Sequence, residues 1–363
     1  MHADPASGKH RAAGCATCHP GYGAILEGPM RTRSAEIRFV ERTYGKFDER
    51  FFGRNCGSCH VTGCLDCHGA GHRIARPGAE ECLRCHKGYF VGQEFFGRAP
   101  REDSLRYQRG TFRDGSAYLK MLPDVHAEAG MSCPDCHGME SLARGRKSSR
   151  SCVDCHTPGK ETVEHRIPAH MRGLECYACH SAWAAQEYGT FFLRFADRSR
   201  ADPFRLWSND GVYARSAYLR RQDAPPLGRN RHGKVSPIRP QFIAYFTDVR
   251  ADGRADPENR LLAAEWKAFF PHTVRRGVPR CEACHENPAR FLLERPQDRI
   301  HDLPGDGLAL DSFWRQAGQK VTNGSFFDNA AWVRMAGKGP AYQKAYVERW
   351  KRWIEAVEAS SGR

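Results

Sequence analysis

CGSCHVTGCLDCHGAGH, residues 56–72, holds two Cys-x-x-Cys-His units set four residues apart, with only His60 to Gly63 between Cys59 and Cys64. The same unit recurs along the chain. Its residues are Cys15, Cys18 and His19; Cys56, Cys59 and His60; Cys64, Cys67 and His68; and Cys82, Cys85 and His86. Further on come Cys133, Cys136 and His137; Cys152, Cys155 and His156; Cys176, Cys179 and His180; and Cys281, Cys284 and His285. All 16 cysteines fall in these eight units, and none is left over.

Three chemistries use a Cys-x-x-Cys pair. A structural zinc site takes four ligands, often from two such pairs, and does not require a histidine after each. A redox dithiol usually occurs once, near a strand–helix–strand pattern. Covalent attachment of haem c needs two thiols for thioether bonds and a histidine at the next position to ligate the iron. A histidine after every pair favours the third reading. Eight covalently attached haem c groups are therefore expected. Their cysteines are the anchors, and His19, His60, His68, His86, His137, His156, His180 and His285 are the proximal iron ligands. The two units of the opening stretch would hold haems close enough for direct electron exchange.

The 17 histidines leave nine outside the units: His2, His10, His72, His126, His165, His170, His232, His272 and His301. Eight haems with two histidine ligands each need eight more, so the count nearly matches. His10, His126, His170 and His272 precede the first cysteine of a unit by a few residues, and His72 follows His68 closely. Such positions suit ligation of a neighbouring haem better than the unit's own. His10, His72, His126, His165, His170, His232, His272 and His301 are the expected distal ligands, and His2 is the weakest of the nine.

The formal charge of +14 invites a nucleic-acid reading. The haem count removes it, because each haem carries two propionates that need counter-charge. Of 56 basic residues 44 are Arg, whose planar fork pairs with carboxylates and stays charged when buried. No nucleic-acid partner is expected. Haem attachment to this motif takes place outside the bacterial cytoplasmic membrane, so the protein is expected to be exported to the periplasm or cell exterior. The opening MHADPASGKH lacks an apolar h-region, so any signal peptide is expected to be absent from this sequence. No apolar run approaches the roughly 20 residues of a transmembrane helix, and no transmembrane anchor is expected.

Three regions are read from the spacing: a seven-haem region at 1–180, an insert at 181–280 without the motif, and an eighth site with a helical tail at 281–363. The expected fold is mainly irregular and α-helical with few short strands, around a haem-packed core. In the insert, Thr190–Phe195 and Gln241–Val249 look strand-like, Asp223–Pro240 loop-like, and Leu261–Phe270 like a short helix. Pro340–Ala359 reads as an amphipathic helix with Tyr342, Tyr346, Trp350, Ile354 and Val357 on one face.

The eight units resemble those of multihaem c-type cytochromes, more narrowly the octahaem ones. One such group, similar to hydroxylamine oxidoreductase and tetrathionate reductase, keeps one haem open for catalysis. The tetrathionate reductase group usually carries that haem on Cys-x-x-Cys-Lys, which this chain lacks. The resemblance is nearer to extracellular and periplasmic electron-transfer cytochromes, which are loop-rich and bis-His throughout. It implies an electron carrier with redox partner proteins or extracellular acceptors, and a homo-oligomer or conductive filament is compatible with it. The alternative is an octahaem oxidoreductase acting on nitrite, hydroxylamine or a sulfur oxyanion, with Arg229–Lys234 as its positive pocket.

Overall fold

The computed structural model describes residues 19–57, 60–69, 75–86, 94–96, 112–113, 116–120, 124–144, 149–159, 161–197, 199, 207–208, 212–293, 320–337 and 339–361. Short helices surround the Cys-x-x-Cys-His units, as expected. The strands are longer than expected. β1 (Glu94–Phe96), β2 (Phe112–Arg113) and β3 (Ser116–Lys120) form a small antiparallel sheet of order β1-β3-β2. An open sheet follows, built from β4 (Trp183–Phe195), β5 (Trp207–Ser208), β6 (Tyr213–Asp223), β7 (Leu227–Asn230), β8 (Val235–Val249), β9 (Arg260–Ala268), β10 (Lys320–Val321) and β11 (Gly324–Ser325). Its main path runs β10-β9-β8-β4-β6-β5, with β7 paired to β8 and to β11.

Thr190–Phe195 and Gln241–Val249 fall inside β4 and β8. They pair in parallel, from Thr190 opposite Ala244 to Phe195 opposite Val249. Two expectations in this region are corrected. Leu261–Phe270 lies largely in the strand β9 rather than in a helix. Its Ala, Leu and Glu residues favour a helix. Trp266, however, is fully buried and pairs with Val321 of β10, and the Asn323 side chain bonds both the amide and the carbonyl of Ala268. Long-range pairing overrides local preference here. Asp223–Pro240 is a hairpin rather than a loop, with Leu227 opposite Pro237 and a turn at 231–233. Proline usually argues against a strand because it lacks an N–H. Pro237 still accepts from the Phe269 amide at 3.1 Å, so its remaining backbone group is used.

The chain divides into two compact units. The first comprises Met1–Ser151, Gly189–Leu219 and Ile243–Ala263, and the second comprises Cys152–Tyr188, Arg220–Phe242 and Ala264–Arg363.

The first unit has an aromatic core. Phe51, 1% exposed, stacks on Tyr44 at 4.6 Å and meets Phe192 and Tyr213 edge-on at 4.8 and 5.2 Å. The Tyr44 hydroxyl donates to the Thr190 carbonyl, and that of Tyr213 to Asp48 at 2.8 Å. Arg194 pairs with Asp248 and also donates to the Phe47 carbonyl.

In the second unit, Ala178, Leu227, Val235, Phe291, Phe327 and Ala331 form a core against which Leu174, Cys284, Trp332 and Met335 pack. The helix Asn329–Ala336 is held at its start by Asp328, which accepts from the Ala331 amide at 2.6 Å. This helix supports the eighth Cys-x-x-Cys-His unit, because Trp332 Nε1 donates to the Cys284 carbonyl at 3.3 Å. Replacing Asp328 with Ala is expected to cost about 1 kcal/mol. A thermal melt that does not shift would sink that assignment.

The helix Pro340–Ser361 docks through Tyr342 and Ala345 on Val163 and Ile167, with Arg166 paired to Glu348. Tyr346, Trp350, Trp353, Ile354 and Val357 remain exposed. Among the described residues, no helix is long and apolar enough to cross a membrane.

Candidate functional site

Most Cys-x-x-Cys-His units in the structure form a single helical turn. The amides of His68, His86, His137, His156 and His285 each donate to the carbonyl of the first cysteine of their unit, at 2.8–3.1 Å. The seventh unit lies in the helix Cys176–His180. Positions i, i+3 and i+4 share a helix face, so one turn turns both thiols and the imidazole the same way. Aspartate before the second cysteine reinforces the turn in two units. Asp66 accepts from the Gly63 amide at 2.9 Å, and Asp135 from the Ser132 amide at 2.7 Å. Cys15, Cys18 and Cys59 lie outside the described residues. His19 borders a recess lined by Pro20, Gly21, Tyr22, Glu140 and Arg144.

The imidazoles are oriented through Nδ1. That atom meets the Ala75 carbonyl in His68 (3.0 Å), the Ser149 hydroxyl in His137 (3.0 Å), the Arg275 carbonyl in His180 (3.3 Å) and the Met335 carbonyl in His285 (2.8 Å). Two histidines outside the units are held the same way: His126 by Asp124 at 2.6 Å and His165 by the Gly159 carbonyl at 3.3 Å. Fixing Nδ1 sets the tautomer and leaves Nε2 as the ligating nitrogen. These partners were not found in the sequence. Only Asp124, two residues before His126, left a local trace. The partners of His180 and His285 are distant carbonyls, and those of His68, His137 and His165 lie six to twelve residues away without a recognisable pattern.

Two pairs of histidines face each other in the second unit. His165 and His180 have ring centres 6.2 Å apart, and His170 and His285 have theirs 6.0 Å apart. A metal–imidazole bond of about 2 Å on each side, plus the reach from nitrogen to ring centre, separates the rings of a bis-His metal site by about 6 Å. Each pair joins a histidine of a Cys-x-x-Cys-His unit to one outside. His170 precedes the seventh unit in sequence, yet it stands opposite the histidine of the eighth. Burial, followed by the neighbouring His285, pushes the His170 pKa below its ordinary value.

The remaining expected ligands are dispersed. His126 lies in the helix Val125–Glu128. His272 packs edge-on against Phe270, which in turn meets Tyr177 of the seventh unit. His232 is exposed in the β7–β8 turn and accepts from Arg231 Nε at 3.2 Å. Arg229–Lys234 forms a hairpin turn, with the Arg229 guanidinium over the Phe327 ring. His2, His10, His72 and His301 lie outside the described residues.

Within each unit, consecutive attachment turns are neighbours. In the first, the helix Leu65–His68 packs on Ala79–Leu83, which packs on Cys133–Cys136. The thiols of Cys82 and Cys133 share a hydrogen bond, which raises the pKa of Cys82 and lowers that of Cys133 to about 6. In the second, Cys152 and Cys176 are bonded in the same way, and Cys176 falls to about 6. Burial, and then the charge of Cys284, push Cys179 up to about 11. The sites therefore adjoin in sequence order: third, fourth and fifth in one unit, and sixth, seventh and eighth in the other.

The donor set fits haem c. Two thiols and an imidazole share each turn, opposed imidazoles stand at bis-His spacing, and the fully buried Arg290 supplies a guanidinium with no hydrogen-bond partner among the described residues. Such an arrangement suits the attachment of haem c. Residues 125–190 match the family model for cytochrome c3, a family of multihaem c-type cytochromes. That segment holds the fifth, sixth and seventh Cys-x-x-Cys-His units together with His126, His165 and His170. Covalently bound haem c and electron transfer are what that family implies for the matched segment. Neither the curated proteins nor the solved structures compared with the chain yield a match.

Proposed function

We propose that this protein is an exported octahaem c-type cytochrome that carries electrons through eight bis-His haems in periplasmic or extracellular respiration. The observation that supports it best is the pair of opposed histidines at the seventh and eighth units. When bound, haem c supplies the one-electron iron couple. The cysteines of all eight units anchor it, and the histidine ending each unit ligates from one side. His165 and His170, whose rings neighbour those of His180 and His285, would supply the second ligand at the seventh and eighth sites. His10, His72, His126, His232, His272 and His301 supply the other six sites. Two strong ligands close each iron to substrate, so the residues favour transfer over catalysis. The adjacency of consecutive turns lays the sites out as a relay. The region 1–180 carries seven sites and 281–363 the eighth, with the strands of 181–280 as scaffold.

Intact-mass analysis of the mature protein is expected to give eight haems. Low-temperature electron paramagnetic resonance of the oxidised form is expected to show only low-spin iron, unchanged by cyanide. A high-spin signal from about one haem in eight that shifts with cyanide would instead identify an open, catalytic site. Negative-stain microscopy of the haem-loaded protein tests for filaments.

A further inference from the structure

Arg290 is the most anomalous charge in the described residues. It lies in the turn Pro288–Phe291, against the helix Glu282–His285 that carries the eighth unit. Its relative exposure is 3%, and its Nε and both terminal nitrogens are buried without a hydrogen-bond partner among the described residues. Arg166 leaves one nitrogen unpaired while another bonds Glu348. A guanidinium removed from water without a counter-ion is costly, and planar donors of this kind are suited to a carboxylate. The nearby ionisable groups that act on Arg290 are the Cys284 and Cys179 thiols, which thioether formation would make neutral. Burial already pushes its pKa below the ordinary value. Among the described residues the site therefore lacks an anion, and a carboxylate-bearing group that binds there would supply one.

We infer that Arg290 is the receptor for a porphyrin propionate in the unit that holds the sixth, seventh and eighth attachment sites, and that its charge raises the reduction potential of that haem. This rests on the octahaem reading above. A fixed cation near the iron favours the less positive, reduced state, so its removal lowers the potential. Arg290 then does two things at once: it neutralises a buried carboxylate and sets a higher-potential step within this group of sites.

The test uses the haem-loaded full chain with Arg290→Gln and Arg290→Lys. Haem content is measured first by intact mass. If the wild type carries no haem, the octahaem reading fails and the inference falls with it. If haem is present, a spectroelectrochemical titration in alkaline buffer, where a carboxylate stays ionised, decides the matter. Arg290→Gln is expected to keep all haems and shift one of them to lower potential, with Arg290→Lys recovering most of the shift. Repeating the titration in Cys152→Ser/Cys155→Ser, Cys176→Ser/Cys179→Ser and Cys281→Ser/Cys284→Ser backgrounds identifies the haem, because the shift disappears when its donor is missing. Should Arg290→Gln lose haem or fail to fold, Arg290→Lys is compared with wild type for a smaller shift of the same sign. Full haem content with unchanged potentials in both variants would overturn the inference.

Discussion

Replacing His170 with Ala is expected to turn one haem in eight from low-spin to high-spin and to let that haem bind cyanide. His170 sits in the helix Pro168–Gly173 with its ring centre 6.0 Å from that of His285. No other described histidine ring is in contact with His285, so the loss has no local substitute among the described residues. The affected haem is the one anchored by Cys281 and Cys284, not the one anchored by Cys176 and Cys179, although His170 is only six residues before Cys176. His170→Met is expected to restore a low-spin iron at a raised potential, since a thioether is a weaker donor than imidazole. His165→Ala is expected to open the seventh site alone. Electron paramagnetic resonance with and without cyanide reads all three variants. A fully low-spin His170→Ala protein would show that the pair does not ligate a common iron.

Phe51→Ala should be the most destabilising single change in the first unit. Its ring is 1% exposed and touches Tyr44, Phe192 and Tyr213. Truncating a buried phenylalanine costs about 3–5 kcal/mol, from lost transfer energy and the cavity left behind. In a chain of this size that lowers the thermal midpoint by roughly 10 °C. Tyr44→Phe provides the scale, because it removes only the hydroxyl that donates to Thr190 and is expected to cost about 1 kcal/mol. Equal midpoints for Phe51→Ala and Tyr44→Phe would show that the aromatic cluster does not carry the stability of this unit.

The sequence alone was informative where chemistry is local. Cysteines at i and i+3 with histidine at i+4 can share a face only in a helical turn, and the amide of His68 bonded to Cys64 realises that turn. Strand preference was visible in Thr190–Phe195 and Gln241–Val249 for a similar reason, since β-branched and aromatic side chains mark extended backbone residue by residue. The segment Leu261–Phe270 misled because its helix-forming residues report only on neighbours, while Trp266 answers to Val321, more than fifty residues away.

Tertiary structure decided the partners. Nothing in the spacing of His165 and His170 shows that one faces His180 and the other His285. Neither does any local pattern mark Met335 as the carbonyl that orients His285, or Arg290 as a buried charge without a hydrogen-bond partner among the described residues. Spacing along the chain fixes what one helical turn can present. Which turns meet depends on packing between distant segments, and residue spacing does not encode that choice.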